Sequence, residues 1–281
     1  MYITEPSPIV RVMRVLRISV VAAYEDNCFG VAKGAAYSGI LSLFPVMTTI
    51  TALLVQANAA AVARVISRIM FDAAPPGTQD LLQNYFSIGG KRPVSLLVVA
   101  SLVSIWAASG AMMSLMEGFQ GAYRIPAGRP FLTQRAVAAV LVLCAVLPMV
   151  GGSTLILFGN RAESVIDKLM GFGTEAAAWV MVLGKILRYV LAFVSIVAAA
   201  SLLYRIGPNR RMAFRNVWPG SVLATAVWFL VTIVFGWYVR NIANYNVLYG
   251  SIGAVIALLV WMYVLAVVAL IGCEFNAAWE K

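Results

Sequence analysis

Long apolar runs separated by short polar stretches set the pattern of this chain. Six runs stand out, at about 35–56, 94–116, 136–158, 182–204, 216–238 and 248–272. Each approaches the roughly 20 residues an α-helix needs to cross a hydrocarbon layer. Inside a bilayer no water is available to backbone N–H and C=O groups, so a spanning segment of this kind must be helical. The pattern predicts an all-α fold, a polytopic membrane helical bundle of about six transmembrane helices.

The stretches outside these runs carry their own periodicity. From Val10 to Ala23, Arg11, Arg14 and Arg17 recur at every third position, while Val12, Met13, Leu16 and Val20 gather on a different arc. This describes a basic amphipathic helix on the membrane face, or a helix packed as a cap on the bundle, and the two are compatible. Between runs one and two, Val62, Val65, Ile66, Ile69 and Met70 share one helical face and Arg64 and Arg68 another. Pro75-Pro76-Gly77 then breaks the chain, and Thr78 is placed to cap a short second helix through Tyr85. An extracytoplasmic helical hairpin is expected over about 59–86, and residues 160–181 are expected to lengthen the fourth helix outward. The organisation is a cytoplasmic N-terminal segment, 1–34, followed by a six-span domain, 35–281.

Composition sharpens the class. Of 281 residues, 62% are hydrophobic and 11% charged, against roughly 25% charged in soluble domains. The mean hydropathy is +0.89. The chain has no histidine, which removes Ser-His and Cys-His catalysis, His-ligated metals and His proton relays together. Cys28, Cys144 and Cys273 are far apart and form no CxxC, so neither a metal site nor a redox motif is expected. No cofactor is expected either. No cleavable signal peptide is visible, because the first long apolar run starts near Ala35.

The net charge of +10 points to anionic membrane lipids rather than nucleic acid, because the charges lie mostly between apolar runs. With the N-terminus inside, twelve of the 21 basic residues fall on inner segments and nine on outer ones. Density decides the orientation: Arg205, Arg210, Arg211 and Arg215 lie within eleven residues. The expected topology is a multi-pass membrane protein with both termini cytoplasmic. Trp179, Trp218, Trp237, Tyr238, Tyr245 and Tyr249 mark interface levels.

Three constellations are candidates for function. Glu117 and Glu274 end two apolar runs on the inner side, at the level of Arg124, Arg135, Arg205, Asn209 and Asn276. Ionisable groups there require partners or water, so these residues form either a structural ion-pair network or a gate for substrate or ions. Ser42 and Pro45 in run one, and Pro148, Gly151 and Gly152 in run three, break helical bonding. Such breaks line a pathway in some transporters and only shape packing in other membrane proteins. Arg210, Arg211 and Arg215, around the turn Gly207-Pro208-Asn209, can hold phosphate headgroups or simply fix topology. Gly250, Gly253 and Gly272 favour close helix contact, and self-association into a homo-oligomer stays open. Protein partners are unspecified.

Several motifs together resemble the YihY/BrkB-type inner-membrane family. They are Ala36-Tyr37-Ser38-Gly39-Ile40-Leu41-Ser42-Leu43-Phe44-Pro45, then Trp106-Ala107-Ala108-Ser109, Tyr123, and Arg129-Pro130-Phe131. Tyr204-Arg205, Pro208-Asn209-Arg210, Trp218-Pro219-Gly220, Tyr245 with Tyr249-Gly250-Ser251, Trp261 with Tyr263, and Gly272 with Glu274 and Asn276 complete the set. The resemblance covers about residues 30–278. Cys273 stands where members often have alanine, and Gln120-Gly121 where asparagine is expected. Many members also carry a polar tail after the last span. The resemblance implies a bacterial inner-membrane protein with six spans. Some members were once labelled ribonuclease BN, a label to which a chain without histidine gives no help. Others are linked to serum resistance or to movement of envelope lipids.

The leading expectation is a transporter or flippase-like protein for a lipid or anionic amphiphile. No P-loop is present, so it would use a gradient or act passively, with Glu117 and Glu274 as proton-handling candidates. The alternatives are a scaffold or assembly factor for envelope proteins, a membrane enzyme using those carboxylates, and a small-solute channel.

Overall fold

The computed structural model describes residues 8–56, 94–126, 128–148, 151, 174–210, 212–241 and 251–280. Among the described residues the regular structure is helical throughout. We number the helices α1 (Pro8–Glu25), α2 (Cys28–Gln56), α3 (Val94–Ala122), α4 (Phe131–Pro148), α5 (Thr174–Ile206), α6 (Phe214–Asn241) and α7 (Ser251–Trp279). Helices α2 to α7 each hold a stretch long and apolar enough to span a membrane. The hairpin expected over 59–86 lies outside the described residues, as do Arg211, Gly152 and 160–173.

Most helices overrun the apolar runs that predict them. α2 starts at Cys28 rather than near 35, and α7 continues to Trp279 rather than stopping near 272. α4 begins at Phe131, five residues before its predicted start. The added turns at Cys28 and at Glu274 and Asn276 are less apolar but buried. Their polar atoms bond inside the bundle, so the helices continue where hydropathy falls.

The interior is built from small side chains. Ala23, Ala32, Ala35, Ala224, Ala266 and Ala277 are buried, whereas Leu183, Leu187, Leu230, Ile233 and Trp237 face outward. This inverts the soluble pattern. Between helices in lipid no hydrophobic drive exists, so close backbone approach and interhelical hydrogen bonds hold the bundle. α7 is central: it packs against α1, α2, α3 and α6. α4 rests on α3 through Ala138 and Leu141 against Met112 and Met116.

Short connections gather one end of each of α1 to α6, and the C-terminal end of α7 meets them there. α1 turns into α2 at Asn27, whose φ is 54°. α3 ends in a Schellman closure, with Ile125 N–H donating to Gln120 O at 3.0 Å and Arg124 N–H to Gly121 O at 2.8 Å. Arg124 takes the left-handed position there, with φ 50°. Asn209, φ 56°, makes the turn predicted between α5 and α6. α1 lies against α7 with Val15, Ser19 and Ala23 inward. Met13, Leu16, Val20 and Tyr24 remain exposed on a second apolar face.

Pro45 sits inside a continuous α2. Thr49 Oγ1 donates to Pro45 O at 3.0 Å and meets Ser104 Oγ of α3 at 2.7 Å. Ser42 Oγ donates to Gly39 O at 2.7 Å. Hydroxyls thus engage backbone carbonyls on either side of the proline. Pro148 closes the described part of α4, and Gly151 is exposed beyond it.

Candidate functional site

The helix ends described above meet in a dense polar knot. Asn276, fully buried on α7, grips the first turns of α6. Its Oδ1 accepts from Gly220 N–H at 2.7 Å and its Nδ2 donates to Val217 O at 2.8 Å. Gly220 and Gly272 allow this approach. A Cβ on Gly220 would collide with Gly272 O and the Asn276 side chain, and one on Gly272 with the Tyr204 hydroxyl and Ala224. Tyr204 Oη donates to Ala269 O at 2.8 Å, and its ring meets Phe119 edge to face at 5.3 Å. Between Gly272 and Asn276 on α7, Glu274 is 2% exposed and accepts a hydrogen bond from Cys28 Sγ of α2 at 3.6 Å. An apolar cavity of 180 Å³ adjoins this knot, between Leu115, Phe119, Ala200, Tyr204 and Trp228.

Around the knot runs a basic, aromatic rim. Arg210 forms a two-pronged pair with Glu280, both contacts at 3.2 Å, and lies 5.5 Å from the Tyr123 ring centre. Arg11 of α1 stacks over Trp279 at 4.7 Å, and Arg205 over Phe214 at 4.1 Å. Arg129 donates to Ile206 O at 2.7 Å and Gly207 O at 3.2 Å, capping the negative end of α5. Burial lowers its pKa from the usual arginine value, yet the group stays charged. Burial also pushes the Tyr123 phenol up, and its hydroxyl has no hydrogen-bond partner among the described residues. Between α1, α6 and α7 opens a cleft of 660 Å³, walled by Arg11, Arg215, Trp218 and Trp279, with Asn216 and Glu280 at its base.

The residues singled out from the sequence separate into three places. Glu274 and Asn276 lie together in the buried knot. Arg205, Asn209, Arg210 and Arg215 lie exposed at the rim, as does Arg124. Glu117 is exposed and makes no ion pair or hydrogen bond among the described residues, so it does not join Glu274 in one network. Arg135 lies away from both groups. Its Nη2 donates to Trp106 O at 2.7 Å, and its guanidinium stacks over the Trp106 ring at 3.8 Å. Ser42 and Pro45 lie on α2 away from the knot; Ser42 bonds Gly39 O, and Thr49, bonded to Pro45 O, is the residue that meets Ser104 of α3. Sequence reading did not assign roles to Cys28, Arg129, Tyr204 or Gly220. The small-residue positions Gly220 and Gly272 were the available signal, because glycine within an apolar span marks close helix approach.

An inverted interior, six long apolar helices and a rim of arginine and tryptophan define a polytopic integral membrane protein. Residues 20–281 match the family described as virulence factor BrkB, and the chain belongs to that family. It is 30% identical to YfkH of Bacillus subtilis, a protein whose name calls it ribonuclease-like, over 90% of each chain. It is 25% identical to a UPF0761 membrane protein of Alteromonas mediterranea, over 90% of this chain and 83% of that one. A UPF0761 membrane protein of Xanthomonas campestris is 26% identical over 90% of this chain and 58% of its own length. No solved structure matches the chain.

Proposed function

We propose that the protein moves or holds an anionic amphiphile, a phosphate-bearing lipid of the bacterial inner membrane being the closest fit. The observation that carries this reading is the rim cleft. Arg11 and Arg215 supply charge, Trp218 and Trp279 supply interfacial aromatic surface, and 660 Å³ accommodates a headgroup. We place the rim, and with it both termini, on the cytoplasmic side, because the densest arginine run lies there. In this reading the 1–34 segment lies on the cytoplasmic face, its exposed apolar arc in the headgroup layer.

A central aqueous route draws no support from the described residues. The cavity beside Tyr204 is apolar, and the knot closes the bundle below it. A lipid path along the outer surface suits this packing better than a pore. Glu274, buried beside Cys28, is the carboxylate placed to sense a proton gradient. Ribonuclease-like chemistry has little to work with: the chain has no histidine, and no group of three metal-ligating side chains gathers among the described residues. A scaffold without transport is the second reading, favoured by the close-packed knot itself.

The test is reconstitution in anionic-lipid vesicles with a fluorescent lipid, following exchange between leaflets with and without a proton gradient. Acceleration that is lost in Glu274→Gln supports a transporter with a carboxylate switch. Acceleration unaffected by Glu274→Gln keeps transport and discards the switch. No acceleration under either condition rejects transport in favour of the scaffold.

A further inference from the structure

An arginine guanidinium lying against the middle of a neighbouring membrane span is the least expected feature of the molecule. The α3 span runs from Leu97 to Ala122 over 26 residues. Trp106 and Met113, which bracket the Arg135 guanidinium, both lie in its middle third. By helical rise Trp106 stands about 14 Å from one end of the span and about 24 Å from the other. Long basic side chains near helix ends ordinarily reach outward to water. Arg135, one turn into α4, instead reaches inward.

Its contacts hold the group without neutralising it. Nη2 has the Trp106 carbonyl, Nη1 has the Met113 thioether at 3.6 Å, and the indole face lies beneath. A thioether is a weak acceptor. Nε is buried and has no partner among the described residues. No carboxylate pairs with Arg135 among the described residues. An uncompensated charge at this depth is costly, and such residues elsewhere face a partner or a pathway. The surface beside it is apolar: Val99, Leu102, Val103 and Trp106 are all exposed, Trp106 at 59%. The site therefore opens toward lipid.

We propose that Arg135, held over Trp106 at mid-span, binds the phosphate of an anionic membrane lipid on the outer surface of α3 and α4. The inference builds on the lipid-handling reading above and names a second station for the same substrate class. A guanidinium presents a planar fork suited to phosphate. Pairing would neutralise both charges at the depth where each is most costly. The rim cleft between α1, α6 and α7 and Arg135 between α3 and α4 would then be two separate stations for the same headgroup class.

The experiment uses the full chain in vesicles of phosphatidylcholine with a phosphatidylglycerol that carries a photoreactive group near its glycerol. Cross-linked peptides are mapped for wild type, Arg135→Gln and Arg135→Lys. The expected result is labelling of α3 around residues 99–113 that falls roughly tenfold in Arg135→Gln, the scale of one charge-assisted hydrogen bond. Arg135→Lys should keep part of it, because the charge remains but the fork is lost. Labelling at the rim cleft should not change, which also reports that the variants are folded. Equal mid-span labelling in wild type and a rim-labelled Arg135→Gln protein overturns the proposal. Displacement of the label by inorganic phosphate would assign the site to a soluble anion and likewise overturn it. Two failures stay separable. Arg135-dependent labelling in a protein that moves no lipid upholds the site and removes transport. Lipid movement with labelling indifferent to Arg135 does the reverse.

Discussion

Replacing Asn276 by alanine removes both bonds that tie α7 to the start of α6. The two losses are unequal. Val217 O keeps a second donor, Ser221 Oγ at 2.8 Å, whereas Gly220 N–H loses its acceptor on α7 in a fully buried place. Interhelical side-chain bonds in membranes average about 0.6 kcal/mol, so two give about 1 kcal/mol as a floor. Leaving a buried donor unpaired costs about 1–3 kcal/mol, which puts the expected destabilisation at about 1–3 kcal/mol. At roughly 2–4 °C per kcal/mol for a large domain, the unfolding midpoint in mild detergent should fall by several degrees. Ser221→Ala is the internal comparison and should cost less, since Asn276 still serves Val217 O. An Asn276→Ala midpoint within a degree of wild type would refute the claim that this amide fastens the two helices.

Three further perturbations follow from the same geometry. Gly272→Val should abolish assembly or cost well over about 2 kcal/mol by overpacking, since even a Cβ strikes the Tyr204 hydroxyl and Ala224; size-exclusion profile and thermal midpoint report it. Tyr123→Phe should be neutral or stabilising by up to about 1 kcal/mol, because it removes a buried hydroxyl without a partner. The raised phenol pKa means the folded state holds this proton longer than the unfolded state does. Its contribution is therefore complete below the ordinary tyrosine pKa of about 10 and is lost as pH rises beyond it; an alkaline stability series on wild type and Tyr123→Phe checks the difference. Arg129→Gln should uncap α5 at a cost of about 1–2 kcal/mol and speed amide exchange in the 207–210 turn, and unchanged exchange there would count against the capping role.

Hydropathy alone locates the six spans, because bilayer length and backbone pairing leave a long apolar run few alternatives. It misplaces their ends for a physical reason. Glu274 and Asn276 lower the local hydropathy, yet both sit inside the bundle with their polar atoms bonded, so α7 runs on to Trp279. The turn at Gly207-Pro208-Asn209 is legible because its residue types dictate the backbone, and Asn209 takes positive φ. The polar cluster is legible only in composition. Charges at one sequence-derived level divide in space into a buried pair, an exposed rim and a lone arginine, because a helix turns successive residues to different faces. Arg135 shows this most clearly. Just before a predicted span it reads as a rim charge, and only the pairing of α4 with α3 places its guanidinium against Trp106.

The central position of α7 has a consequence for how the chain is made. A ribosome delivers this helix after the other described helices, and N-terminal segments emerge long before it. Cys28 waits 246 residues for Glu274, Tyr204 waits 65 for Ala269, and Gly220 waits 56 for Asn276. α1 has its docking surface on the same late arrival. Until α7 emerges, the earlier spans must persist in the bilayer without their common partner, open to insertase or quality-control proteases. A nascent chain released before α7 would lack the keystone for every helix it joins, so the emergence of α7 itself becomes the checkpoint for assembly.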